Sequence, residues 1–180
     1  NGINQSNVTK EYFQKDSIRA VFIGRLDIYQ KGLDILLDAI GRNRDLLIAN
    51  HFILDIYGPN RQDYYMIQKL IEEMNLKDIV ALKGEIIGNE KKKALLESDI
   101  FFLTSRFEGH PMGLIEALSY GLPCFITPGA NMAKEIAEYE CGWVADFSVD
   151  SISANLLKMI EQRANFAKLG QNSKELSRIY

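Results

Sequence analysis

The sequence has few cysteines, no long apolar stretch and no excess of positive charge. Its 180 residues include two cysteines, which share no metal-binding spacing with each other or with the two histidines. No apolar run approaches the ~20 residues of a membrane-spanning helix, and no signal peptide is recognisable. A net charge of -3 supplies no basic surface of the kind that nucleic-acid binding requires. These absences argue against a membrane-spanning protein, a nucleic-acid partner and a cysteine-based metal site.

The composition is that of an ordinary soluble globular domain, with 47% hydrophobic and 25% charged residues. The one dense basic run, residues 91–93, lies beside Glu90 and Glu97, which predicts a solvated helix face. Cys124 stands in an apolar run and is predicted to be a buried, small hydrophobic side chain. This cysteine usage fits a reducing environment, so we expect a cytoplasmic protein.

Short apolar runs alternate with longer amphipathic stretches from Arg19 onward. The apolar runs predict strands at residues 20–23, 52–57, 79–82, 100–103, 123–127 and 143–145. Helical spacing predicts helices at residues 32–41, 64–74, 90–97, 112–120, 131–138, 151–161 and 166–179, with Asn89 as the cap of the third. Residues 1–17 are polar and aperiodic, and are predicted to be a linker or domain entrance.

This alternation predicts an α/β domain over residues 18–180, built on a parallel sheet with right-handed crossovers. Residues 100–103 are continuously apolar, which is typical of a parallel strand covered on both faces. About six strands in this order indicate a Rossmann-like, doubly wound sheet.

In such a sheet, a ligand binds beyond the carboxyl ends of the strands. Glycines stand at or near three of these ends, at Gly24, Gly58 and Gly84, where they permit tight turns and close approach of a ligand. The loop after the fourth strand leads through Pro111 into a helix that begins near Met112. The free N–H groups at the start of this helix are expected to form an anion site suited to phosphate.

Charged side chains occur near this expected site. Glu116 lies in a helix that is apolar nearly all round, where a lone carboxylate is costly unless something hydrogen-bonds to it. Two interpretations are open for Glu116: a ligand contact, or a pairing with a buried arginine or with backbone N–H groups. Arg25 and Lys31 flank the start of the helix after the first strand, where cations are mildly unfavourable unless an anion such as a diphosphate is bound. Simple solvent exposure is the alternative for both cations.

Two patterns of other enzyme classes are missing. The first turn has no Gly-x-Gly-x-x-Gly fingerprint, which disfavours an oxidoreductase cofactor domain. No cluster with metal-ligand spacing is present, so no metal site is predicted.

Taken together, these segments resemble the large retaining glycosyltransferase family often called family 4, whose members have the GT-B fold. The resemblance spans residues 1–161 and begins with Asn-Gly-Ile-Asn, like the entrance to the C-terminal, donor-binding domain of such enzymes. It continues with Gly24-Arg25-Leu26-Asp27 and Lys31-Gly32. Its most specific element is Glu108-Gly109-x-Pro111 followed by Glu116-Ala117-Leu118, which matches the family's motif of two glutamates with seven residues between them.

The resemblance implies a domain that binds the nucleotide-diphosphate sugar donor of a retaining hexosyl transfer. It implies that Arg25 and Lys31 grip the diphosphate and stabilise the leaving group, helped by backbone N–H groups near Met112 and Gly113. It further implies that Glu108 hydrogen-bonds the donor sugar and Glu116 the ribose, and that Arg25, Lys31 and Glu108 are the catalytic residues. The predicted donor-binding residues are Gly24, Arg25, Lys31, Glu108, Gly109, His110, Pro111, Met112, Gly113, Leu114 and Glu116, with Gly58, Lys83, Gly84 and Ile86 bordering the base.

The sequence departs from the family pattern at two places. Many relatives have an aromatic residue where His110 stands, and a histidine there either reaches a phosphate or sugar hydroxyl or simply packs. Many also carry a double glycine and a nearby glutamate after the fifth strand, whereas residues 128–135 form a longer loop here. The contacts of this loop, including one from Asn131 to the donor sugar, stay open.

The family also has an N-terminal domain that binds the acceptor, and no residue precedes Asn1 in this sequence. We therefore expect a domain that is inactive alone, with any contact to the inner face of a membrane made by the missing domain. No cofactor is expected, and the expected donors are UDP-sugars or GDP-sugars used in polysaccharide or glycolipid synthesis. The alternatives are a related GT-B epimerase or phosphorylase, and a non-catalytic nucleotide-sugar-binding or interaction module.

Overall fold

The computed structural model describes residues 16–61 and 63–180, in which strands and helices alternate. The strands are β1 (Ile18–Ile23), β2 (Phe52–Tyr57), β3 (Val80–Gly84), β4 (Ile100–Leu103), β5 (Cys124–Ile126) and β6 (Gly142–Val144). The helices are α1 (Leu33–Arg42), α2 (Arg44–Ala49), α3 (Tyr64–Glu73), α4 (Gly88–Glu97), α5 (Met112–Ser119), α6 (Ala133–Glu138), α7 (Val149–Glu161) and α8 (Phe166–Ser177). Residues 1–15, most of the predicted linker, lie outside the described residues.

The strands of the described residues form one parallel sheet in the order β3-β2-β1-β4-β5-β6. The chain first builds outward from β1 through β2 to β3, and then returns to the other side of β1 with β4. The loops after β1 and β4 therefore leave toward opposite faces of the sheet and open a crevice at its carboxyl edge. The predicted Rossmann-like, doubly wound sheet is confirmed, and this crevice is the place where such sheets hold ligands.

Helices cover both faces of the sheet and bury its central strands. Right-handed crossovers place α1 and α5 on opposite faces, where α1 packs against α7 and α5 packs against α8. All of β4 is buried, as its continuous apolar sequence predicts. The Phe102 ring on β4 stacks on Phe125 with centroids 4.6 Å apart and meets Phe52 edge-on at 6.2 Å. Such aromatic pairs contribute about 1 kcal/mol each beyond the burial of their area.

The sequence predictions miss one helix and misplace the start of another. Helix α2 has six residues and buries only Leu47, which is too little for helical periodicity to show. Helix α4 begins at Gly88, with Ile87 at the cap position and no side-chain capping hydrogen bond, so the predicted cap at Asn89 is wrong. The predicted ranges of α6 and β6 differ from the observed ones only at their ends.

Both cysteines are buried and free, as predicted for Cys124. Burial raises the pKa of Cys124 well above its ordinary value, and the neighbouring Cys141 adds to the rise. Burial also raises the pKa of Cys141, to about 12. Because a thiolate is the reactive form of cysteine, both thiols are inert at neutral pH and act as packing groups.

Gly32 brings the loop after β1 into direct contact with the chain after β4. It precedes α1 with a left-handed φ of +62°, and a Cβ here would lie 2.1 Å from the Thr104 carbonyl oxygen and 2.8 Å from the Phe147 ring. Only glycine adopts this backbone shape without strain and leaves room for the contact. A Cβ added at Gly41, near the end of the same helix, would meet nothing within 4 Å apart from the adjoining backbone of its own helix.

Replacing Gly32 by alanine is expected to destabilise the domain. The new methyl group clashes with the Thr104 carbonyl, and the left-handed backbone alone costs about 1–2 kcal/mol. Gly41→Ala is the matched control and is expected to stabilise the domain by about 0.5–1 kcal/mol, since it improves a helix with open space around it. Urea denaturation followed by circular dichroism measures both, and equal stability of the two variants would contradict the packing described at Gly32.

Candidate functional site

The crevice is built from two loops that are tied to each other by backbone hydrogen bonds. The loop after β1 is a compact turn, in which the Lys31 N–H donates to the Asp27 carbonyl over 2.9 Å and the Gln30 N–H donates to the Asp27 carboxylate over 2.8 Å. The loop after β4 docks on this turn through the Arg106 N–H, which donates to the Gln30 carbonyl over 2.8 Å. Charged side chains of the two loops, Lys31 and Glu108, are thereby brought into contact.

Arg106 strengthens this docking, and sequence reasoning did not find it. Its guanidinium donates to both carboxylate oxygens of Asp34 over 3.0 and 2.8 Å and to the Tyr29 carbonyl over 2.6 Å. It also lies between two aromatic rings, 4.3 Å from the Tyr29 centroid and 4.4 Å from that of Phe147. A planar guanidinium suits both kinds of contact, and lysine could make neither in the same way. No local sequence signal marks Arg106, because its partners come from elements far apart in the chain.

A cavity of about 130 Å³ opens between the two loops. More than half of the predicted site residues line it: Gly24, Lys31, Glu108, His110, Pro111, Met112, Gly113 and Leu114. The remaining predicted residues do not line it: Arg25, Gly58, Lys83, Gly84, Ile86, Gly109 and Glu116. The cavity is thus the centre of the predicted site, and the other residues lie around it on the flanking loops and helices.

An ion pair between Lys31 and Glu108 forms the charged wall of the cavity. The Lys31 Nζ donates to Glu108 Oε1 over 2.5 Å, and the two side chains are only 12% and 9% exposed. The Ser105 hydroxyl donates to the same oxygen over 2.5 Å, and Ser105 is fully buried. Sequence reasoning missed Ser105, although a hydroxyl directly after a buried strand at the ligand edge was a usable signal. The two donors hold the carboxylate through Oε1, and no residue of 16–61 and 63–180 donates a hydrogen bond to Oε2.

The start of α5 faces the same cavity. Pro111 occupies the cap position and Met112 is the first helical residue, as predicted. The Met112 N–H donates to the His110 carbonyl over 2.9 Å. The prediction that this N–H is free to bind an anion is therefore wrong. The structure shows no hydrogen bond from the Gly113 N–H to any residue of 16–61 and 63–180, so this amide remains available. The anion-binding potential of the helix start is therefore centred on Gly113.

Arg25 follows Gly24 at the rim of the crevice, and its exposed guanidinium donates to the Gln30 side chain. The Gln30 amide in turn donates to the Phe107 carbonyl over 3.4 Å. Arg25 is thus held toward the loop after β4 by a neutral partner. Its guanidinium keeps N–H groups for a ligand, because this contact uses only a single one of the five that it carries.

Glu116 corrects two sequence interpretations. It accepts a hydrogen bond at Oε2 from the Lys91 Nζ over 2.5 Å, and the two side chains are 28% and 30% exposed. Glu116 is therefore neither deeply buried nor paired with an arginine, and Lys91 does not belong to a purely solvated face. The spacing held a clue, because Lys91 precedes the buried Leu95 by one helical turn and so shares its side of α4. Burial raises the pKa of Tyr120, and the Glu116 carboxylate adds to the rise.

The residues predicted to border the base surround the ends of β2 and β3. The Gly58 N–H donates to the Gly84 carbonyl over 2.9 Å, and a Cβ on Gly58 would lie 2.4 Å from the Gly24 carbonyl oxygen. The glycine at position 58 is therefore required for packing between the first two loops. Lys83 is half exposed and pairs with Asp55 over 3.8 Å, and Ile86 is half-buried in the loop before α4.

The longer loop after β5 packs against the loop after β4. Thr127 donates through its hydroxyl to the Ser105 carbonyl over 2.7 Å, and a Cβ on Gly129 would lie 2.2 Å from that same oxygen. The Asn131 amide donates to the Gly109 carbonyl over 3.2 Å at the surface. In this structure the Asn131 side chain therefore supports the loop that carries Glu108.

Metal-binding clusters and membrane-spanning helices are both absent from the described part of the chain. No group of three or more His, Cys, Asp or Glu side chains in 16–61 and 63–180 could hold a metal ion. Within the same ranges, none of the helices combines the length and apolarity needed to cross a bilayer.

Several nucleotide-binding classes have a doubly wound parallel sheet with a charged crevice at its switch point, and the GT-B glycosyltransferase domain is one such class. Comparison with known families supports this class, because residues 4–176 match the family described as Glycosyl transferases group 1. The chain belongs to this family, and its resemblance to the C-terminal, donor-binding domain of such enzymes is confirmed.

Individual relatives agree with this family assignment. The amylovoran biosynthesis glycosyltransferase AmsD of Erwinia amylovora is 31% identical over 177 residues, which are 94% of this chain and 47% of AmsD. One component of the human phosphatidylinositol N-acetylglucosaminyltransferase is 29% identical over 163 residues, covering 90% of this chain and 33% of that protein. The TarM variant of S. aureus solved with fondaparinux, α-GlcNAc-glycerol and UDP shares the fold, with a TM-score of 0.82 at 22% identity over 98% of this chain and 34% of TarM. The chain spans about a third to a half of the length of these relatives.

Removing one charge of the Lys31–Glu108 pair is expected to lower the free energy of unfolding more than removing both charges. In Lys31→Met, the Glu108 carboxylate stays buried with only Ser105 as a donor, and we expect a loss of about 3 kcal/mol in unfolding free energy. The double variant Lys31→Met/Glu108→Gln leaves no unpaired charge at these two positions, and it is expected to recover most of this loss. Urea denaturation of the wild type, both single variants and the double variant completes the cycle. Strictly additive losses would show that the pair is not coupled in solution.

Proposed function

We propose that this domain binds a nucleoside-diphosphate sugar in the crevice and presents it for retaining glycosyl transfer. The observation that carries the proposal is the Lys31–Glu108 pair, which lines a cavity at the carboxyl ends of β1 and β4 together with the start of α5. This small space holds a cation and an available helix amide, which suit a diphosphate, and an acid, which suits the hydroxyl groups of a sugar.

The diphosphate is proposed to lie against Lys31, Arg25 and the Gly113 N–H. A lysine ammonium has three donors, and its contact with Glu108 uses a single one of them, so the others remain for phosphate oxygens. The helix start adds its partial positive charge. As the glycosidic bond breaks, negative charge grows on the departing diphosphate, and fixed cations stabilise this charge without reorganising. We therefore propose a transfer that uses protein cations in place of a bound metal.

The two glutamates are proposed to bind the sugars on either side of the diphosphate. Glu108 is held through Oε1 by Lys31 and Ser105, so Oε2 is the atom that would accept from a hydroxyl of the donor sugar. Glu116 is held through Oε2 by Lys91, so Oε1 would accept from a ribose hydroxyl. The turn around Gly58 and Gly84, with Lys83 and Ile86, would border the base.

Sugar transfer is proposed to need a second domain. The chain covers 47% of AmsD and 33% of the human relative, so we assign acceptor binding to a domain of the kind that precedes this one in GT-B enzymes. We propose that the complete enzyme works in the cytoplasm on a polysaccharide or glycolipid, and that any membrane contact is made by the other domain.

His110 is exposed at the cavity, where it would reach a phosphate or a sugar hydroxyl.

Two alternatives to the proposed function remain: a related GT-B enzyme and a non-catalytic interaction module. A GT-B epimerase or phosphorylase would share the fold, but the arrangement of Glu108 and Glu116 at the spacing of the transferase motif favours the transferase. A non-catalytic interaction module would have no need for a cation and an acid buried together at a cavity. Binding measurements distinguish the last of these from the proposal.

Titration calorimetry of the chain with UDP, GDP, UDP-glucose and GDP-mannose tests the proposal. We expect saturable binding of one nucleotide class, weakened about 10- to 100-fold in Lys31→Met, because a hydrogen bond to a charged group is lost. Lys69→Met is the control, since Lys69 is 72% exposed on α3 and pairs with Glu73 of the same helix. We also expect no sugar transfer by the chain alone.

Three results would contradict the proposal or part of it. Absence of saturable binding for all of these ligands would favour the interaction module. Binding that Lys31→Met leaves unchanged would move the nucleotide site away from the crevice, and steady transfer by the chain alone would refute the need for a second domain.

A further inference from the structure

Lys91 on α4 makes the one contact of Glu116 with a charged side chain among the described residues. The Nζ–Oε2 distance is 2.5 Å, and each side chain is about a third exposed. The pair connects α4, which begins directly after the turn proposed to border the base, with α5, which begins at the proposed diphosphate site. It therefore lies between the proposed positions of the base and the diphosphate, where a nucleotide has its ribose.

The neighbouring lysines of α4 behave differently. Lys92 is exposed, and Lys93 is 72% exposed and pairs with Glu97 of its own helix over 3.7 Å. Among the residues that the structure describes, Lys91 is the one lysine of the three that pairs with a side chain of another helix. Lys92 and Lys93 are thus ordinary solvated lysines of the same helix, with which Lys91 can be compared.

We propose that Lys91 is a positioning residue that sets the ribose specificity of the site by orienting Glu116. The proposal rests on the function proposed above. By holding Oε2, Lys91 fixes the rotation of the carboxylate and leaves Oε1 directed to a hydroxyl, so that less side-chain freedom is lost on binding. Its charge also compensates that of Glu116, which would otherwise repel a bound diphosphate.

Lys91 therefore acts on the ligand through Glu116 and is not itself a ligand contact. Its removal should affect recognition of the ribose hydroxyls more than recognition of the diphosphate. If the role of Lys91 were merely structural, its removal would weaken the binding of the ribonucleotide and of the deoxyribonucleotide to the same extent. The ratio of the two affinities is thus the quantity that separates the two roles.

The test uses the full chain with UDP and GDP, each alongside its 2′-deoxy and 3′-deoxy forms, in titration calorimetry. We expect the wild type to prefer the ribonucleotide at least about tenfold, the scale of a hydrogen bond to a charged acceptor. In Lys91→Met this preference is expected to fall about fivefold, whereas Lys91→Arg keeps the ion pair and most of the preference. Lys92→Met, next to it on the same helix, is expected to leave the preference unchanged.

A double-variant cycle identifies the route of the effect. In a Glu116→Gln background, Lys91→Met is expected to cause no further loss of ribose preference, because the oriented carboxylate is already gone. Thermal melts of all variants confirm that the fold is intact, and a partly exposed ion pair is not expected to be needed for folding.

The outcomes separate this inference from the proposed function. Saturable binding with a ribose preference that Glu116→Gln lowers and Lys91→Met does not would overturn the role of Lys91 and leave the proposed function in place. Equal weakening of ribo and deoxy forms by Lys91→Met would also overturn it, in favour of a structural role. No saturable binding of any of these nucleotides would remove the proposed function and the role of Lys91 with it.

Discussion

The docking of the loop after β4 onto the loop after β1 is the constraint on which the rest of the site depends. Gly32 allows the contact because any side chain there would strike the Thr104 carbonyl, and Arg106 secures it through Asp34 and two aromatic rings. The doubly wound topology brings both loops to the same edge of the sheet. Lys31 and Glu108, which lie 77 positions apart in the chain, can form one buried pair only because this docking holds.

The acids of the site share one arrangement. Each carboxylate is held through a single oxygen by a lysine, Glu108 by Lys31 and Glu116 by Lys91, and no other described residue donates a hydrogen bond to its second oxygen. This arrangement would reduce the cost of carrying negative charge beside the proposed diphosphate site, and it would orient each acid before a ligand arrives. Lys31, which is proposed to bind phosphate, would therefore also orient Glu108, whereas Lys91 would act only by orienting Glu116.

The sequence predicts the fold well, because its strands are short apolar runs separated by amphipathic helices with clear periodicity. The central strand at residues 100–103 and the helix start at Met112 are read directly from such patterns. Short elements such as α2, with Leu47 as its one buried residue, carry too little periodicity to be seen. The partners of side chains are harder to predict: Arg106 and Lys91 contact carboxylates that lie 72 and 25 positions away in the chain, and a single sequence does not state which side chains meet. Residues 1–15 lie outside the described residues, so the predicted linker stays a prediction.

The most direct test of the account is a crystal structure of the chain with bound nucleoside diphosphate. The account predicts the diphosphate between the Lys31 ammonium and the Gly113 N–H, with the ribose within hydrogen-bonding distance of Glu116 Oε1. A nucleotide bound elsewhere, for example in the groove of about 460 Å³ beside Trp143 and Asn155, would contradict it.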